Sequence, residues 1–286
     1  MSRILIYGGQ GYVGRHVIEK LHKQHDIFNI SPSKSKRNNL SYTHISGQLW
    51  NNISKIKQIK PEYFIIIFFG NPKVESAHLY ERIIGSISRI DKILKNVNFI
   101  FISSQLVYGG KHPSLKSESD KLFPISVYAK KCWKMEKLLI SSINNSYVIL
   151  RVPILYGNNI RADGYKNMVN SFISVAEEGE SIKIYGNGDQ VRTLLHIEDL
   201  ADLINKIIKM GIQREIINAS TGDFLSVIKI ARMIARRFNV GVVSKLEWPK
   251  KELELESVDI KLNYKKTTKF LEKKLIFKQY INSTKL

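Results

Sequence analysis

The 286-residue sequence holds a single cysteine, Cys132, so no disulfide can form within the chain, and this usage suits a reducing compartment. Its longest uninterrupted apolar run, Tyr63 to Phe69, is far shorter than the roughly 20 residues that a membrane-spanning helix needs. Carboxylates are scarce: 25 acidic side chains stand against 45 basic ones, a formal net charge of +20. A surplus of that size would suit nucleic acid, a membrane surface or an anionic small molecule as partner. The basic residues do not concentrate, however. Lys34 to Arg37, Lys265-Lys266 and Lys273-Lys274 are short clusters, and the other lysines are spread among Ile and Asn along the whole chain. That distribution reads as a solvated lysine-rich surface, with neither nucleic acid nor membrane as partner. Internal repeats and low-complexity linkers are also missing. The first residues form an apolar strand that leaves no room for a signal peptide, so a cytoplasmic protein is expected.

What is present begins at once. Arg3 to Tyr7 is a short apolar run, followed directly by Gly8-Gly9-Gln10-Gly11-Tyr12-Val13-Gly14. Val13, Val17, Ile18 and Leu21 then recur at helical spacing. This is a strand, a glycine turn and an amphipathic helix. Glycines let the backbone turn tightly and approach a pyrophosphate, while the helix N-terminus presents unpaired N–H groups and the positive end of its dipole. The pattern predicts a dinucleotide site formed by Gly8, Gly11, Tyr12, Val13 and Gly14.

Strands and helices alternate from there. A second strand, Asp26 to Ile30, ends at Ser31, with Lys34, Lys36 and Arg37 close behind. A carboxylate at this strand end would bond a ribose 2′-hydroxyl. Ser31 and Lys34 would suit a 2′-phosphate instead, so NADP is favoured slightly over NAD. Tyr42 to Ile45 is a weak third strand, and Pro61 stops a helix over Asn52 to Lys60. The run Tyr63 to Phe69 reads as a central parallel strand covered on both faces. It breaks at Gly70, on the carboxyl edge where such sheets bind ligands. Further helices are expected over Glu75 to Lys95, Lys166 to Glu178, Glu198 to Met210 and Leu225 to Phe238. Strands are expected at Asn98 to Ser103, Ile182 to Ile184 and Glu215 to Asn218. The pattern predicts a doubly wound parallel α/β sheet over residues 1–157, to which 190–220 also belong, and a smaller C-terminal lobe over 158–286.

The chemistry-bearing residues follow in order: Ser103-Ser104-x-x-Val107-Tyr108-Gly109, then Pro124-x-Ser126-x-Tyr128 with Glu136 eight residues beyond the tyrosine. Leu150-Arg151 to Tyr156-Gly157 come next, then Gly186-x-Gly188-x-x-x-Arg192, His196-x-x-Asp199-Leu200 and Asn218. Together with the glycine turn, this order resembles the extended short-chain dehydrogenase/reductases, in particular their sugar-nucleotide epimerase/dehydratase branch. The resemblance implies a Rossmann domain, a nicotinamide cofactor and oxidoreduction at a hydroxyl or ketone of a sugar nucleotide. The net outcome would be epimerisation or 4-keto reduction. By the same resemblance Ser104 and Tyr128 bond the reacting oxygen, Tyr128 moves the proton, Arg192 grips the nucleotide phosphates, and a homodimer is possible.

Two departures stand out. In that family a lysine four residues after the tyrosine supplies a cation that helps a phenol, with its usual pKa of about 10, to act near neutrality. This chain has Cys132 there. Lys131 shares the helix face at three residues' spacing and is the candidate substitute. The alternative is a catalytically impaired, cofactor-binding regulatory subunit of the same superfamily. The second departure is Ile154, three residues beyond Arg151, where the epimerases often carry an asparagine. His196 reads as structural, and Asp199 as part of a helix start.

Overall fold

The computed structural model describes residues 1–32, 40–67, 77–109, 115–157, 167–249, 258–271 and 274–283. Lys34 and Gly70, both expected at the cofactor site, lie outside the described residues.

The strands are β1 (Arg3–Tyr7), β2 (Asp26–Ser31), β3 (Thr43–Ser46), β4 (Tyr63–Ile67), β5 (Asn98–Ser104), β6 (Ser146–Val152), β7 (Ile154–Tyr156), β8 (Ile182–Tyr185), β9 (Val191–His196), β10 (Glu215–Asn218), β11 (Asp223–Ser226) and β12 (Val242–Leu246). The helices are α1 (Tyr12–Leu21), α2 (Ile53–Ile59), α3 (Ala77–Ile93), α4 (Val127–Ser141), α5 (Met168–Glu177), α6 (Ile197–Met210), α7 (Val227–Phe238) and α8 (Phe277–Asn282).

The chain divides into two compact units. The first comprises Met1–Ser104, Val127–Arg151 and Ile204–Ile217; the second comprises Gln105–Ser126, Val152–Leu203 and Asn218–Leu286. The seven-stranded sheet has the order β10-β6-β5-β4-β1-β2-β3. Its pairs β2–β3, β1–β2, β1–β4 and β4–β5 are parallel. Every residue of β5 is buried, as are the last four of β1 and of β4. Such continuous burial follows from apolar runs covered on both faces. Phe64, Phe99, Ile87 and Leu139 belong to the core of this unit, each contributing about 1.5–3 kcal/mol by leaving water. Strand order reverses between β1 and β4, and ligands bind beyond the carboxyl ends of strands at such a switch point. The glycine turn after β1 lies there.

The second unit is built on smaller sheets, β11-β9-β7 and β12-β8. Its core gathers Tyr156, Leu194, Ile230, Ile234 and Phe277 under α5, α7 and α8. The helix expected from Leu225 begins at Val227, because Leu225 and Ser226 pair with Arg192 and Val191 as the end of β11. Pro61 does end α2: Lys60 caps it in the left-handed region with φ 49°. No described helix is long and apolar enough to cross a membrane.

Candidate active site

The glycine turn has a steric reason for two of its glycines. Gly8 has φ +93°, and a Cβ there would collide with the Ile67 carbonyl of β4. A Cβ on Gly14 would strike the backbone of Gly8 and Gly9, where α1 crosses the turn. Gly11 is different. It is exposed, and the nearest atom to its hypothetical Cβ is the Gly8 oxygen at 3.6 Å. Among the described residues nothing forbids a side chain there, which leaves room for a ligand to approach the backbone. Gly11 is also the N-cap of α1; it has no side chain with which to bond the first-turn amides, and no acidic residue occupies that turn. Those features fit a cofactor pyrophosphate at this helix start, beside Tyr12 and Val13. Asn29, wholly buried in β2, steadies the turn by accepting the Gly9 N–H on its Oδ1 at 3.0 Å. In the sequence Asn29 is marked only as a lone amide inside the apolar run of β2, a signal too weak to single it out. Ser31 is buried at the end of β2, where its carbonyl accepts the Gly47 N–H at 3.0 Å.

Ser104 ends β5 and is 7% exposed, while Tyr128 is the second residue of α4. Both belong to the first unit. Beneath them lies a buried polar chain. Ser103 Oγ donates to Glu136 Oε1 at 2.5 Å, and Arg151 Nη2 donates to Glu136 Oε2 at 2.8 Å. Arg151 Nε bonds both oxygens at 3.2 Å. Glu136 is wholly buried and Arg151 is 2% exposed, so the ion pair is deprived of water and ties α4 to β5 and β6. Removing either partner would strand a charge. The motif positions of Glu136 and Arg151 were visible in sequence; their union was not.

Cys132, one turn after Tyr128, is 1% exposed. Burial pushes its thiol up to about 12, only partly offset by the Tyr128 hydroxyl, so the thiol is neutral at physiological pH. Lys131 faces α3. Its backbone carbonyl accepts the Tyr80 hydroxyl, and its ammonium lies over the Tyr80 ring, 5.7 Å from the centroid.

In the second unit Arg192 is 2% exposed and donates through Nη1 to the carbonyls of Val258 at 2.7 Å and Val191 at 3.2 Å. Those contacts hold the guanidinium in one orientation. His196 accepts the Glu198 N–H on Nδ1 at 3.2 Å and packs edge-on against Tyr156, 5.1 Å between centroids. Asp199 lies in the first turn of α6, and its Oδ2 accepts the Leu275 N–H at 3.0 Å. Burial pushes this carboxyl up to about 6. Among the described residues no cluster of His, Cys, Asp and Glu could hold a metal ion.

A seven-stranded parallel sheet with a glycine turn at its switch point, and a serine and tyrosine at β5 and α4, define a Rossmann architecture. The chain belongs to the NAD dependent epimerase/dehydratase family, whose model matches residues 4–220. It is 24% identical over 254 residues to the UDP-N-acetyl-alpha-D-glucosaminuronate decarboxylase of Bacillus cytotoxicus, covering 82% of this chain and 79% of the relative. It is 25% identical over 292 residues to an Arabidopsis thaliana trifunctional UDP-glucose 4,6-dehydratase/UDP-4-keto-6-deoxy-D-glucose 3,5-epimerase/UDP-4-keto-L-rhamnose-reductase. That alignment covers 86% of this chain but only 41% of the much longer relative. Among solved structures, the UDP-glucuronic acid 4-epimerase of Bacillus cereus, in complex with UDP-glucuronic acid and NAD, has the same fold. Its TM-score is 0.82 at 20% identity, with 98% of this chain and 96% of the other covered. The dTDP-glucose 4,6-dehydratase of Bacillus anthracis, in complex with NAD, gives 0.79 at 18% identity, with 98% and 94% covered.

Proposed function

We propose that this chain binds a nicotinamide cofactor on its first unit and exchanges hydride with a sugar nucleotide at a hydroxyl or ketone carbon, as an epimerase or a 4-keto reductase. The observation that carries this reading is the placement of Ser104 and Tyr128 in the same unit as the glycine turn, with the Ser103–Glu136–Arg151 chain fixing β5 against α4. When bound, the cofactor supplies the hydride acceptor or donor. The protein's own work is then to move one proton and hold one oxygen. Ser104 Oγ hydrogen-bonds the reacting oxygen, and the Tyr128 hydroxyl takes its proton during oxidation or returns one during reduction. Arg192, already seated by two carbonyls, is suited to a diphosphate because its planar fork is held before the ligand arrives. Residues 158–286 supply the sugar-nucleotide lobe. Ser31 and Lys34 favour NADP over NAD.

A second reading has an observation of its own. At the position one turn after Tyr128 the side chain is a buried neutral thiol, and a thiol gives a phenolate no cation to lean on. A cofactor-binding regulatory subunit would look the same. Titration with NADH and NADPH, followed by a sugar-nucleotide panel read by nicotinamide absorbance, separates the readings. Binding with turnover upholds the first, and binding without turnover on the whole panel upholds the second. Failure to bind either cofactor overturns both.

A further inference from the structure

The second unit buries a lysine that nothing in the proposed chemistry uses. Lys116 is only 4% exposed. Its backbone pairs in parallel with Leu262: its N–H donates to the Lys261 carbonyl at 2.8 Å, and its own carbonyl accepts the Asn263 N–H at 2.8 Å. Asn218 Nδ2 donates to that same carbonyl at 2.9 Å. Two residues earlier on the same segment, Ile260 pairs in parallel with Arg192. Extended backbone alternates its side chains, so Ile260 and Leu262 share one face and Asp259 and Lys261 the other. Burial agrees. Ile260 and Leu262 are 2% and 0% exposed, whereas the ion-paired Lys261 and Asp259 side chains are 34% and 27% exposed. Residues paired across a bridge share a face, so Lys116 and Arg192 lie on the same, buried face but on opposite edges of this segment: Ile260 bonds the backbone of Val191 and Thr193 on one edge, and Lys261 and Asn263 bond that of Lys116 on the other.

The two cations are not equally compensated. Arg192 is bonded to the carbonyls of Val258 and Val191. Among the described residues the Lys116 ammonium makes no hydrogen bond and no ion pair; only the Asp120 carboxylate acts on it through space, and burial holds the ammonium below its ordinary value. The lysine stem is packed away, and its partly desolvated ammonium has no close counter-ion among the described residues, which costs stability. The arrangement becomes favourable when a ligand brings the missing negative charge.

We propose that Lys116 is an anion-binding residue which, beside Arg192, receives a phosphate or carboxylate group of the ligand taken by the second unit. This rests on the reading of Arg192 as a phosphate contact and adds a second cation to it. A diphosphate spans the two positions as one doubly bound anion. Alternatively Arg192 keeps the diphosphate and Lys116 meets a carboxylate on the sugar.

The test uses the full chain with cofactor present, as wild type, Lys116→Met and Lys116→Arg, titrated calorimetrically with UDP, UDP-glucose and UDP-glucuronate. Melting curves with and without inorganic diphosphate are recorded in parallel. A charge-assisted hydrogen bond lost from a buried site corresponds to a fall of about 10- to 100-fold in affinity. We expect K116M to show that loss, K116R to recover much of it, and ligand-free K116M to melt higher than wild type. Equal losses for all three nucleotides assign Lys116 to the diphosphate, and a loss confined to UDP-glucuronate assigns it to a carboxylate. Binding within about twofold of wild type for every probe overturns the proposal. If the wild type binds none of the nucleotides, the sugar-nucleotide reading falls and diphosphate alone decides. A wild-type melting shift abolished in K116M upholds the anion site; a shift that is absent, or unchanged in K116M, overturns it. Should K116M not melt cooperatively, Lys116→Gln, which keeps a polar tip of similar reach, takes its place with the same outcomes.

Discussion

Replacing Asp199 by asparagine should make the protein more stable at neutral pH, and the gain should vanish as the solution is acidified. Asp199 is 3% exposed, in the first turn of α6, with its Oδ2 holding the Leu275 N–H at 3.0 Å. Burial is the largest influence on its carboxyl; the Leu275 N–H opposes it, Asp202 and Glu198 reinforce it, and Lys274 opposes it. The result is a carboxyl raised from 3.8 to about 6. A raised carboxyl binds its proton more tightly in the folded than in the unfolded chain, so stability rises as pH falls through about 6 toward 4 and is lost in the opposite direction. A difference of about two pH units corresponds to about 3 kcal/mol, at 1.36 kcal/mol per unit. Asparagine keeps an acceptor for Leu275 and carries no charge. D199N should therefore overtake the wild type by about 2.5 kcal/mol on going from about pH 4 to about pH 7.5, or about 5–10 °C in melting temperature. Asp223, raised by burial and bonded to the Phe277 N–H at 2.7 Å, adds pH dependence of the same sign to both proteins and cancels in the difference. Melting curves of the two proteins across that range provide the assay. A difference that stays constant with pH, or a D199N variant that loses ground as pH rises, would refute the reasoning.

The buried ion pair gives the second prediction: Glu136→Gln or Arg151→Met each strands a charge and should cost about 3–5 kcal/mol in urea denaturation, whereas the double variant should cost less than the sum of the two. The glycine turn gives a third. Gly14→Ala must push apart the backbone of Gly8 and Gly9 and should lower both stability and cofactor binding. Gly11→Ala meets no described atom closer than 3.6 Å and should melt within a few degrees of wild type while weakening NADH by about tenfold or more, read by fluorescence titration. A fourth concerns α4: Cys132→Lys should melt below wild type, since it buries an amine, yet raise sugar-nucleotide turnover at neutral pH by about tenfold or more. No gain in turnover would show that Tyr128 is not limited by the missing cation.

The first unit was legible because its strands are long apolar runs broken by turns, and burial on both faces leaves period and length in agreement. Tyr63–Ile67 and Asn98–Ser104 are the clearest cases. In the second unit β8 was read at Ile182 to Ile184, but other strands were hidden for the opposite reason. β9 carries Arg192, Thr193 and His196 among its leucines, and these polar side chains are buried by partners far along the chain. β11 has four half-buried residues with no alternation to read, and it runs directly into α7. At the site, Ser104, Tyr128 and the glycines announced themselves by spacing. Asn29 and Lys116 did not, because what marks them is a contact 20 residues away in one case and, in the other, burial with no hydrogen bond or ion pair to the ammonium among the described residues.

Tyr128, Cys132 and Glu136 recur every four residues and so form one stripe of α4. The stripe does two physically separable things. Its far end fixes geometry: Glu136, bound by Ser103 and Arg151, locks the helix to the strand end that presents Ser104. Its middle sets electrostatics, and there the chain has a neutral thiol. Geometry of that kind is expensive to keep, since a buried ion pair gains little over apolar packing unless its placement matters. A chain that retained the fold alone could fill these positions with leucine. An ion pair at the geometric end beside a neutral middle fits the proposal that Ser104 and Tyr128 are held in register for a ligand.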